Sequence, residues 1–265
     1  MGTIKPMQKE RAAIAKKKFG QNFLNDESVL QQIIQSMPDT PYRIAEIGPG
    51  LGDLTKYLVD VKSVTAFEVD TDLCKHLEHH FADAIATNAL TLRCGDVLEH
   101  WKSELLDEPY DLVANLPYYI ATNIILKALA DPACRNLLVM IQREVAEKFS
   151  AAPGERAFGA LSVITQSVGD AEIVLHVPPT AFDPAPKVDS CVLLISKRTN
   201  RNDEGFEEFL RAAFTQPRKT LHKNLSSRYD GTLLAQAFET LELEKTIRPH
   251  QLCTADFHRL YTLIQ

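Results

Sequence analysis

The chain has 265 residues, 45% of them hydrophobic and 24% charged, a composition typical of a globular protein with one large domain, or one large and one small domain. The formal net charge of −6 argues against a protein that coats nucleic acid indiscriminately. No apolar run reaches the roughly 18 residues that span a membrane, and the lysine-rich N-terminus lacks the apolar segment of a signal peptide, so we expect a cytoplasmic protein with no membrane partner.

The N-terminal segment is basic despite the acidic average. Residues 1–20 carry six Lys or Arg and one Glu, which gives a local net charge of +5. We predict that residues 1–18 form a basic tail in which Lys17 and Lys18 contact nucleic-acid phosphates. A tail without such contacts is the alternative.

Five short apolar runs predict buried strands, and segments of helical periodicity lie between them. The runs are residues 43–47, 64–69, 90–94, 110–114 and 137–142. Near-continuous apolar strands that alternate with helices predict a parallel sheet covered on both faces. Two later runs, 172–177 and 191–196, are expected to form an antiparallel pair at the edge, which gives a mostly parallel seven-stranded sheet.

Strand signals end near residue 200, and short helical segments follow to the C-terminus. The polar stretch 197–203 reads as a linker between two domains. We therefore predict an α/β domain over residues 19–198 and a small all-α domain over residues 199–265.

The segment EIGPGLGDLT follows the first strand of the sheet and opens a helix. Its glycines, Gly48, Gly50 and Gly52, allow the backbone to approach a ligand closely, and the helix N-terminus offers free N–H groups. The spacing is GxGxG rather than the GxGxxG of dinucleotide-binding proteins, because position 53 is Asp. The alternative is that these glycines serve only a tight packing of strand against helix.

Acidic residues end the next two strands. Glu68 lies where a carboxylate can accept hydrogen bonds from both hydroxyls of a ribose, and Asp96 lies where one can accept from an adenine amino group. Together with the glycine turn, they predict a ligand that contains a nucleoside. With Glu46 before the glycines, the pattern resembles the S-adenosylmethionine-dependent methyltransferase fold, which is Rossmann-like.

The stretch NLPYYIAT follows the fourth strand of this sheet. Asn115 offers a side-chain carbonyl, and Pro117 restrains the neighbouring carbonyl of Leu116. Two acceptors aimed at an adenine amine favour a more nucleophilic nitrogen, and Tyr118 offers a face on which an extruded base stacks. The tetrapeptide NLPY resembles the [DNS]-P-P-[YF] motif of amino-methyltransferases. We expect Tyr119 to pack rather than to react.

Five motifs in order resemble the ribosomal RNA adenine dimethyltransferase family, and most closely its bacterial KsgA/RsmA branch. The motifs are KKFGQNFLND, EIGPGLGDLT, NLPYYIAT, IQREVAEKF and VPPTAFDPAPKVDS, and the resemblance extends over almost the whole chain. The resemblance implies dimethylation of N6 on two adjacent adenosines in a hairpin near the 3′ end of small-subunit (16S) rRNA. It implies S-adenosylmethionine as the methyl donor and an immature 30S particle as the partner, with the protein acting in ribosome biogenesis as a monomer.

The same resemblance assigns roles to single residues. Asn115 and the Leu116 carbonyl would hold the target amine, and Tyr118 and Phe182 would sandwich the target base. A core anchor for its loop is the alternative role of Phe182. The residues implied to contact the donor are Asn22, Leu24, Gly48, Gly50, Glu68, Asp96 and Asn115.

A second basic segment, residues 210–228, contains five Lys or Arg and no acidic residue. It resembles the basic helix of the family, and Arg218, Lys219 and Lys223 are the candidates for RNA contact. Pro217 stands where the family commonly has an arginine, which removes one positive charge, and we expect the helix to begin there. An exposed basic face without RNA contact is the alternative.

Cysteines and histidines indicate no metal. The five cysteines form no CxxC pair, and the eight histidines show no HExxH spacing. We therefore expect neither a zinc site nor a disulfide framework, as is usual in a reducing cytoplasm.

Three other functions are alternatives to a small-subunit rRNA adenine dimethyltransferase. One is a large-subunit rRNA adenine methyltransferase of the macrolide-resistance type, whose members are usually basic, with NIPY-like loops. Another is a small-subunit assembly factor without catalytic activity. A DNA adenine methyltransferase is the weakest, because the NPPY loop is absent.

Overall fold

A computed structural model describes residues 22–199 and 203–265, so that Lys17 and Lys18 lie outside the described residues. The chain divides into two compact units. The first comprises the described residues up to 146 together with 172–199, and the second comprises residues 147–171 and 203–265. Within the described ranges, no helix is both long and apolar enough to cross a bilayer.

A seven-stranded sheet forms the centre of the architecture. Its strands are β2 (Arg43–Ile47), β3 (Val64–Glu68), β4 (Leu90–Cys94), β5 (Tyr110–Asn115), β6 (Cys134–Gln142), β7 (Gly169–Val177) and β9 (Ser190–Lys197). Their order across the sheet is β4-β3-β2-β5-β6-β9-β7. The first five are parallel to one another, whereas β9 runs antiparallel to β6. The predicted α/β fold class is therefore confirmed.

Helices connect these strands and make up the C-terminal part of the chain. They are α1 (Glu27–Gln35), α2 (Thr55–Val61), α3 (Thr71–His80), α4 (Ala82–Ala86), α5 (Val97–His100), α6 (Ala121–Ala130), α7 (Arg143–Ser150), α8 (Ala160–Val168), α9 (Glu204–Ala213), α10 (Leu221–Leu225), α11 (Gly231–Thr240) and α12 (Thr254–Leu263). Aspartates define several helix starts. The side chains of Asp26, Asp70 and Asp96 each accept a hydrogen bond from a backbone N–H in the first turn that follows.

The two short strands β1 (Phe23–Leu24) and β8 (Phe182–Asp183) form a separate antiparallel ribbon. Phe23 lies opposite Asp183, and Leu24 lies opposite Phe182. The Asn25 N–H also donates to the Ala181 carbonyl, at 2.9 Å. Through this pairing, the N-terminal family motif and the proline-rich loop are held together.

The second unit has an apolar core of its own. Ala151, Phe158 and Val163 pack in one cluster with Phe209 and Phe257 of the C-terminal helices. This packing groups residues 147–171 with the helical unit, whereas the sequence placed them in the α/β domain. The difference arises because α8 contributes its apolar face to the C-terminal helices, a tertiary contact that periodicity does not reveal.

Two local expectations are wrong. Helix α10 begins at Leu221 rather than at Pro217, because the Thr220 hydroxyl accepts a hydrogen bond from the Lys223 N–H and so caps the helix. Cys74 and Cys94, expected as separate thiols, form a disulfide with their Cα atoms 6.1 Å apart. The β3–α3–β4 crossover brings them together although they are 20 positions apart in the chain.

Candidate active site

A cavity opens at the carboxyl ends of the parallel strands, where ligands bind in open α/β sheets. All seven residues predicted to contact the donor line it. They are Asn22, Leu24, Gly48, Gly50, Glu68, Asp96 and Asn115. Leu116, Pro117 and Tyr118 lie in the same wall, so that the predicted donor and acceptor groups share one cavity.

The glycine loop has the backbone that its sequence predicts. Gly48 and Gly50 have φ values of +71° and +62°, which L-residues with side chains rarely adopt. A Cβ at Gly50 would lie 3.2 Å from the Phe23 ring, closer than most Cβ contacts, so the ring would have to shift to admit a side chain. A Cβ at Gly48 would lie 3.6 Å from Cδ of Pro117, which places the glycine loop next to the NLPY loop.

The Glu68 carboxylate is buried at the end of β3 and held by the backbone. Its Oε2 accepts a hydrogen bond from the Gly50 N–H at 3.1 Å, and its Oε1 accepts one from the Asp70 N–H at 2.9 Å. Burial raises the pKa of Glu68 above its usual value, against the two backbone donors, which lower it. A carboxylate oxygen can accept more than one hydrogen bond, so both oxygens keep capacity for ligand hydroxyls.

Asp96 follows β4 at the same edge of the sheet. Its Oδ1 accepts a hydrogen bond from the Leu98 N–H at 2.9 Å and so caps α5. The cap fixes the side chain beside the cavity and leaves the second oxygen as an acceptor. The arrangement fits the predicted contact with an adenine amino group.

Asn115 ends β5, and its amide orientation follows from one hydrogen bond. Its Nδ2 donates to the Asn22 carbonyl at 3.3 Å, and only the amide nitrogen can donate to a carbonyl. The Oδ1 atom is therefore the end available to an incoming amine. Leu116 continues the strand pairing by donating its N–H to the Met140 carbonyl at 3.1 Å. This bond fixes the Asn115–Leu116 peptide, which directly precedes the Leu116 carbonyl and Pro117.

Tyr118 is half-buried in the cavity wall. Its hydroxyl lies 2.7 Å from the Ser190 hydroxyl at the start of β9. Burial raises the pKa of Tyr118, while the bond to Ser190 lowers it. The ring is therefore tied to the central sheet by its polar end.

Phe182 does not lie in the cavity wall. Its side chain is 4% exposed and belongs to the core cluster that contains Leu24 and Ala181. The β1–β8 pairing draws it into this position. Stacking of Phe182 on a base stays a prediction, and it requires the loop to open. The structure fits the alternative role, an anchor of the loop.

Glu46 is in β2, two residues before Gly48, and also lines the cavity. The Thr55 hydroxyl donates to its Oε2 at 2.8 Å. Burial, and to a lesser extent the negative charge of Glu68, raise the pKa of Glu46 to about 8, although the hydrogen bond from Thr55 lowers it. The site therefore contains a carboxyl group that is largely protonated near neutral pH.

Sequence reasoning missed several lining residues. Phe23, Val69 and Leu98 supply apolar surface beside the predicted polar contacts. Val69 directly follows Glu68, and its position just beyond the end of β3 could have indicated that it lines the cavity. Tyr119 also lines the cavity, and 60% of it is exposed, so the expectation that it packs is wrong. Its pKa is raised by partial burial and by the negative charges of Asp96 and Glu68.

The three basic candidates that the structure describes lie on the surface of the second unit. Arg218 and Lys219 are exposed in the turn before α10, and Lys223 is exposed on α10 itself. Their charges are therefore open to solvent and to an anionic partner. In the described part of the chain, no group of three or more His, Cys, Asp or Glu side chains could hold a metal ion.

Two solved structures resemble the fold. A dimethyladenosine transferase from Plasmodium falciparum superposes with a TM-score of 0.76, at 22% identity, over 90% of this chain and 95% of the other. The 23S rRNA methyltransferase ErmE superposes with a TM-score of 0.71, at 24% identity, over 92% of this chain and 99% of the other. At these identities, the likeness shows the fold alone.

Sequence comparison is more specific. The chain is 67% identical over 250 residues to ribosomal RNA small subunit methyltransferase A of Sulfurimonas denitrificans, covering 94% of each chain. It is 47% identical over 255 residues to the protein of the same name from Aliarcobacter butzleri, covering 95% of this chain and 96% of the other. The family model described as ribosomal RNA adenine dimethylase matches residues 12–265. The chain therefore belongs to the ribosomal RNA adenine dimethylase family.

Proposed function

We propose that the protein dimethylates N6 of two adjacent adenosines in a hairpin near the 3′ end of 16S rRNA, in the cytoplasm, as a monomer acting on an immature 30S particle. The chain is an S-adenosylmethionine-dependent rRNA adenine dimethyltransferase, as its family and its small-subunit relatives indicate. The observation that carries the finer proposal is the shared cavity, which places Glu68 and Asp96 beside Asn115 and Tyr118.

The donor side of the cavity fits a nucleoside. The two oxygens of Glu68 keep acceptor capacity for ribose hydroxyls, and the second oxygen of Asp96 keeps it for an adenine amino group. The glycine loop lets the main chain approach, since Gly48 and Gly50 carry no side chain. When bound, S-adenosylmethionine supplies a methyl group on a positively charged sulfur, which is a good leaving group.

The acceptor side holds the adenine amine. The Asn115 Oδ1 and the Leu116 carbonyl accept hydrogen bonds from the two amine hydrogens, which draws the nitrogen lone pair out of conjugation with the ring. The Asn22 carbonyl orients the Asn115 amide, and the Met140 carbonyl holds the Leu116 N–H, which anchors the backbone next to the Leu116 carbonyl. Such positioning lowers the barrier more than a strong base would, because the proton can leave after methyl transfer.

Tyr118 supplies the surface on which the target base stacks after it leaves its helix. The Ser190 hydroxyl holds the ring by its polar end, so that the face remains free for a base. Phe182 would complete a sandwich only in an open form of its loop, because its ring is buried.

RNA affinity is proposed to come from basic surfaces that hold phosphate. Arg218, Lys219 and Lys223 are exposed and have no acidic neighbour between residues 210 and 228. Lys17 and Lys18 extend this set within the N-terminal tail. These contacts position the RNA, whereas the cavity selects the base.

The decisive experiment offers two substrates to the full-length protein with isotope-labelled donor. One is the small-subunit particle from cells that lack this methylation, and the other is protein-free 23S rRNA. We expect mass spectrometry to find N6,N6-dimethyladenosine on two adjacent adenosines of 16S rRNA alone. Label on 23S rRNA alone would overturn the proposed substrate, and no label on either rRNA would favour an assembly factor.

A further inference from the structure

Two cysteines lie next to residues that line the cavity: Cys94 directly precedes Gly95 and Asp96, and the Cys74 sulfur contacts the Glu68 carbonyl. Cys74 is in the first half of α3, and Cys94 is the last residue of β4. Their Cα atoms are 6.1 Å apart, within the range that a disulfide bridges without backbone movement, and the structure joins the two side chains. The pair therefore links the helix after β3 to the strand that precedes Asp96.

The two sulfurs differ in access. Cys74 is 4% exposed, whereas Cys94 is exposed on β4, which is the edge strand of the sheet. An accessible cysteine beside a buried partner is the arrangement in which the first meets an oxidant and the second resolves the product. Within residues 22–199 and 203–265, no other disulfide is present: Cys134 and Cys191 are buried, and Cys253 is partly exposed.

The pair touches the backbone that shapes the donor cavity. The sulfur of Cys74 lies 3.4 Å from the Glu68 carbonyl oxygen, which also accepts the Gly95 N–H at 2.8 Å. As a thiol, Cys74 can donate to this carbonyl, but a disulfide sulfur carries no hydrogen and cannot. The oxidation state of Cys74 therefore changes a contact to the residue whose carboxylate receives the donor ribose.

We propose that Cys74 and Cys94 form a reversible disulfide that cross-links α3 to the end of β4 beside the donor cavity. In the reduced protein, α3 and the end of β4 are joined only by non-covalent contacts. In the oxidised protein, one covalent link holds together the segments that carry Glu68 and Asp96. Because the link removes freedom that donor binding would otherwise have to remove, the oxidised form binds the donor more tightly.

The chemistry requires a low-molecular-weight disulfide such as oxidised glutathione as the oxidant. The Cys94 thiolate attacks one sulfur of that disulfide, forms a mixed disulfide and releases one thiolate. The Cys74 thiolate then attacks the Cys94 sulfur and releases the second thiol. In sum, two protein thiols lose two electrons and two protons, and the small disulfide gains them. A reducing cytoplasm reverses the exchange, so the disulfide forms under oxidative conditions.

The test uses full-length protein equilibrated in glutathione buffers of graded redox potential. Free thiols are alkylated and located by peptide mass spectrometry, and the affinity for S-adenosylhomocysteine is measured by calorimetry in each state. We expect a Cys74–Cys94 cross-linked peptide after oxidation, about threefold tighter binding of S-adenosylhomocysteine, and return of both on reduction. These readouts depend on neither the RNA substrate nor methyl transfer.

Matched variants separate this pair from general thiol oxidation. Cys94→Ser should bind S-adenosylhomocysteine with one affinity in all buffers, and Cys94→Ala serves as a second variant at the same exposed position. Cys253→Ser should respond as the unaltered protein does. Alkylation of both Cys74 and Cys94 in the oxidised sample would overturn the proposal, as would equal affinities in the two states or a response that survives in Cys94→Ser.

Discussion

The hydroxyl of Tyr118 is hydrogen-bonded to the hydroxyl of Ser190, with the oxygens 2.7 Å apart. Ser190 is fully buried and lies opposite Gln142 in the β6–β9 pairing. The residue expected to stack on the target base is therefore held at its hydroxyl by the first residue of β9.

Because Tyr118 and Ser190 share one hydrogen bond, we expect substitutions of the two residues to have similar, non-additive effects on methylation. Tyr118→Phe and Ser190→Ala should each lower kcat/KM for 16S rRNA by about fivefold, the value of one hydrogen bond near 1 kcal/mol. The double variant should be little worse than either single variant, because both remove the same bond. Methylation kinetics measure the cycle, with Ser196→Ala on the same strand as control. Fully additive losses would show that the two hydroxyls act separately.

Asn115 is predicted to act on the chemical step. Asn115→Ala removes one acceptor for the amine, and we expect kcat to fall by about 10²- to 10³-fold, as for other transition-state hydrogen-bonding groups. Asn115→Asp keeps an acceptor oxygen but loses the N–H that donates to the Asn22 carbonyl, so it should retain more activity than the alanine variant. Single-turnover methylation measures the step. Equal rates in all three proteins would remove Asn115 from the chemistry.

Glu68 is predicted to act on donor binding. Replacing it with Ala removes an acceptor that the Gly50 and Asp70 N–H groups hold in place, and the affinity for S-adenosylhomocysteine should fall by about 10- to 100-fold. Binding to small-subunit particles should persist. Calorimetry and particle co-sedimentation give the two readouts, and Glu78→Ala, an exposed position on α3, is the control. Loss of particle binding would show that RNA recognition requires a loaded donor site.

The raised pKa of Glu46 predicts a pH dependence of stability. The folded protein holds the proton up to about pH 8, whereas the unfolded chain releases it near its usual value of 4.5. The unfolded state therefore binds fewer protons in this window, and the group lowers the free energy of unfolding as pH rises from 4.5 to 8, by up to about 1.4 kcal/mol per pH unit. Above pH 8, its contribution is constant.

Replacing the carboxyl by an amide removes this titration. In Glu46→Gln, the free energy of unfolding should no longer fall with pH because of this group. The difference in free energy of unfolding between Glu46→Gln and the unaltered protein should therefore shift in favour of the variant between pH 5 and 8. Urea unfolding at several pH values measures it, with Glu78→Gln as a matched control at an exposed site. Parallel pH profiles of Glu46→Gln and the unaltered protein would contradict a buried, protonated Glu46.

The central sheet could be predicted because its parallel strands are buried on both faces and stand out as apolar runs. Runs at 43–47 and 90–94 coincide with β2 and β4 at both ends. The position of Glu68 and Asp96 in one cavity could be predicted because strand ends meet at one edge of a parallel sheet, so sequence order alone brings the two residues together.

What could not be predicted depends on contacts between distant segments. The burial of Phe182 follows from its pairing with Leu24, more than 150 positions earlier in the chain. The proximity of Cys74 and Cys94 depends on how α3 packs between β3 and β4. The start of α10 depends on which residue supplies the N-cap. Hydrophobic periodicity contains none of this information.

The β1–β8 ribbon is expected to make donor and RNA binding interdependent. Leu24 lines the cavity proposed to hold the donor, and it pairs with Phe182 of the proline-rich loop, which we propose faces the RNA. If that loop opens to admit a base, it must either carry β1 along or break the pairing. In both cases the donor wall changes with RNA occupancy. By thermodynamic reciprocity, RNA must then shift the affinity for the donor by the same factor as the donor shifts the affinity for RNA.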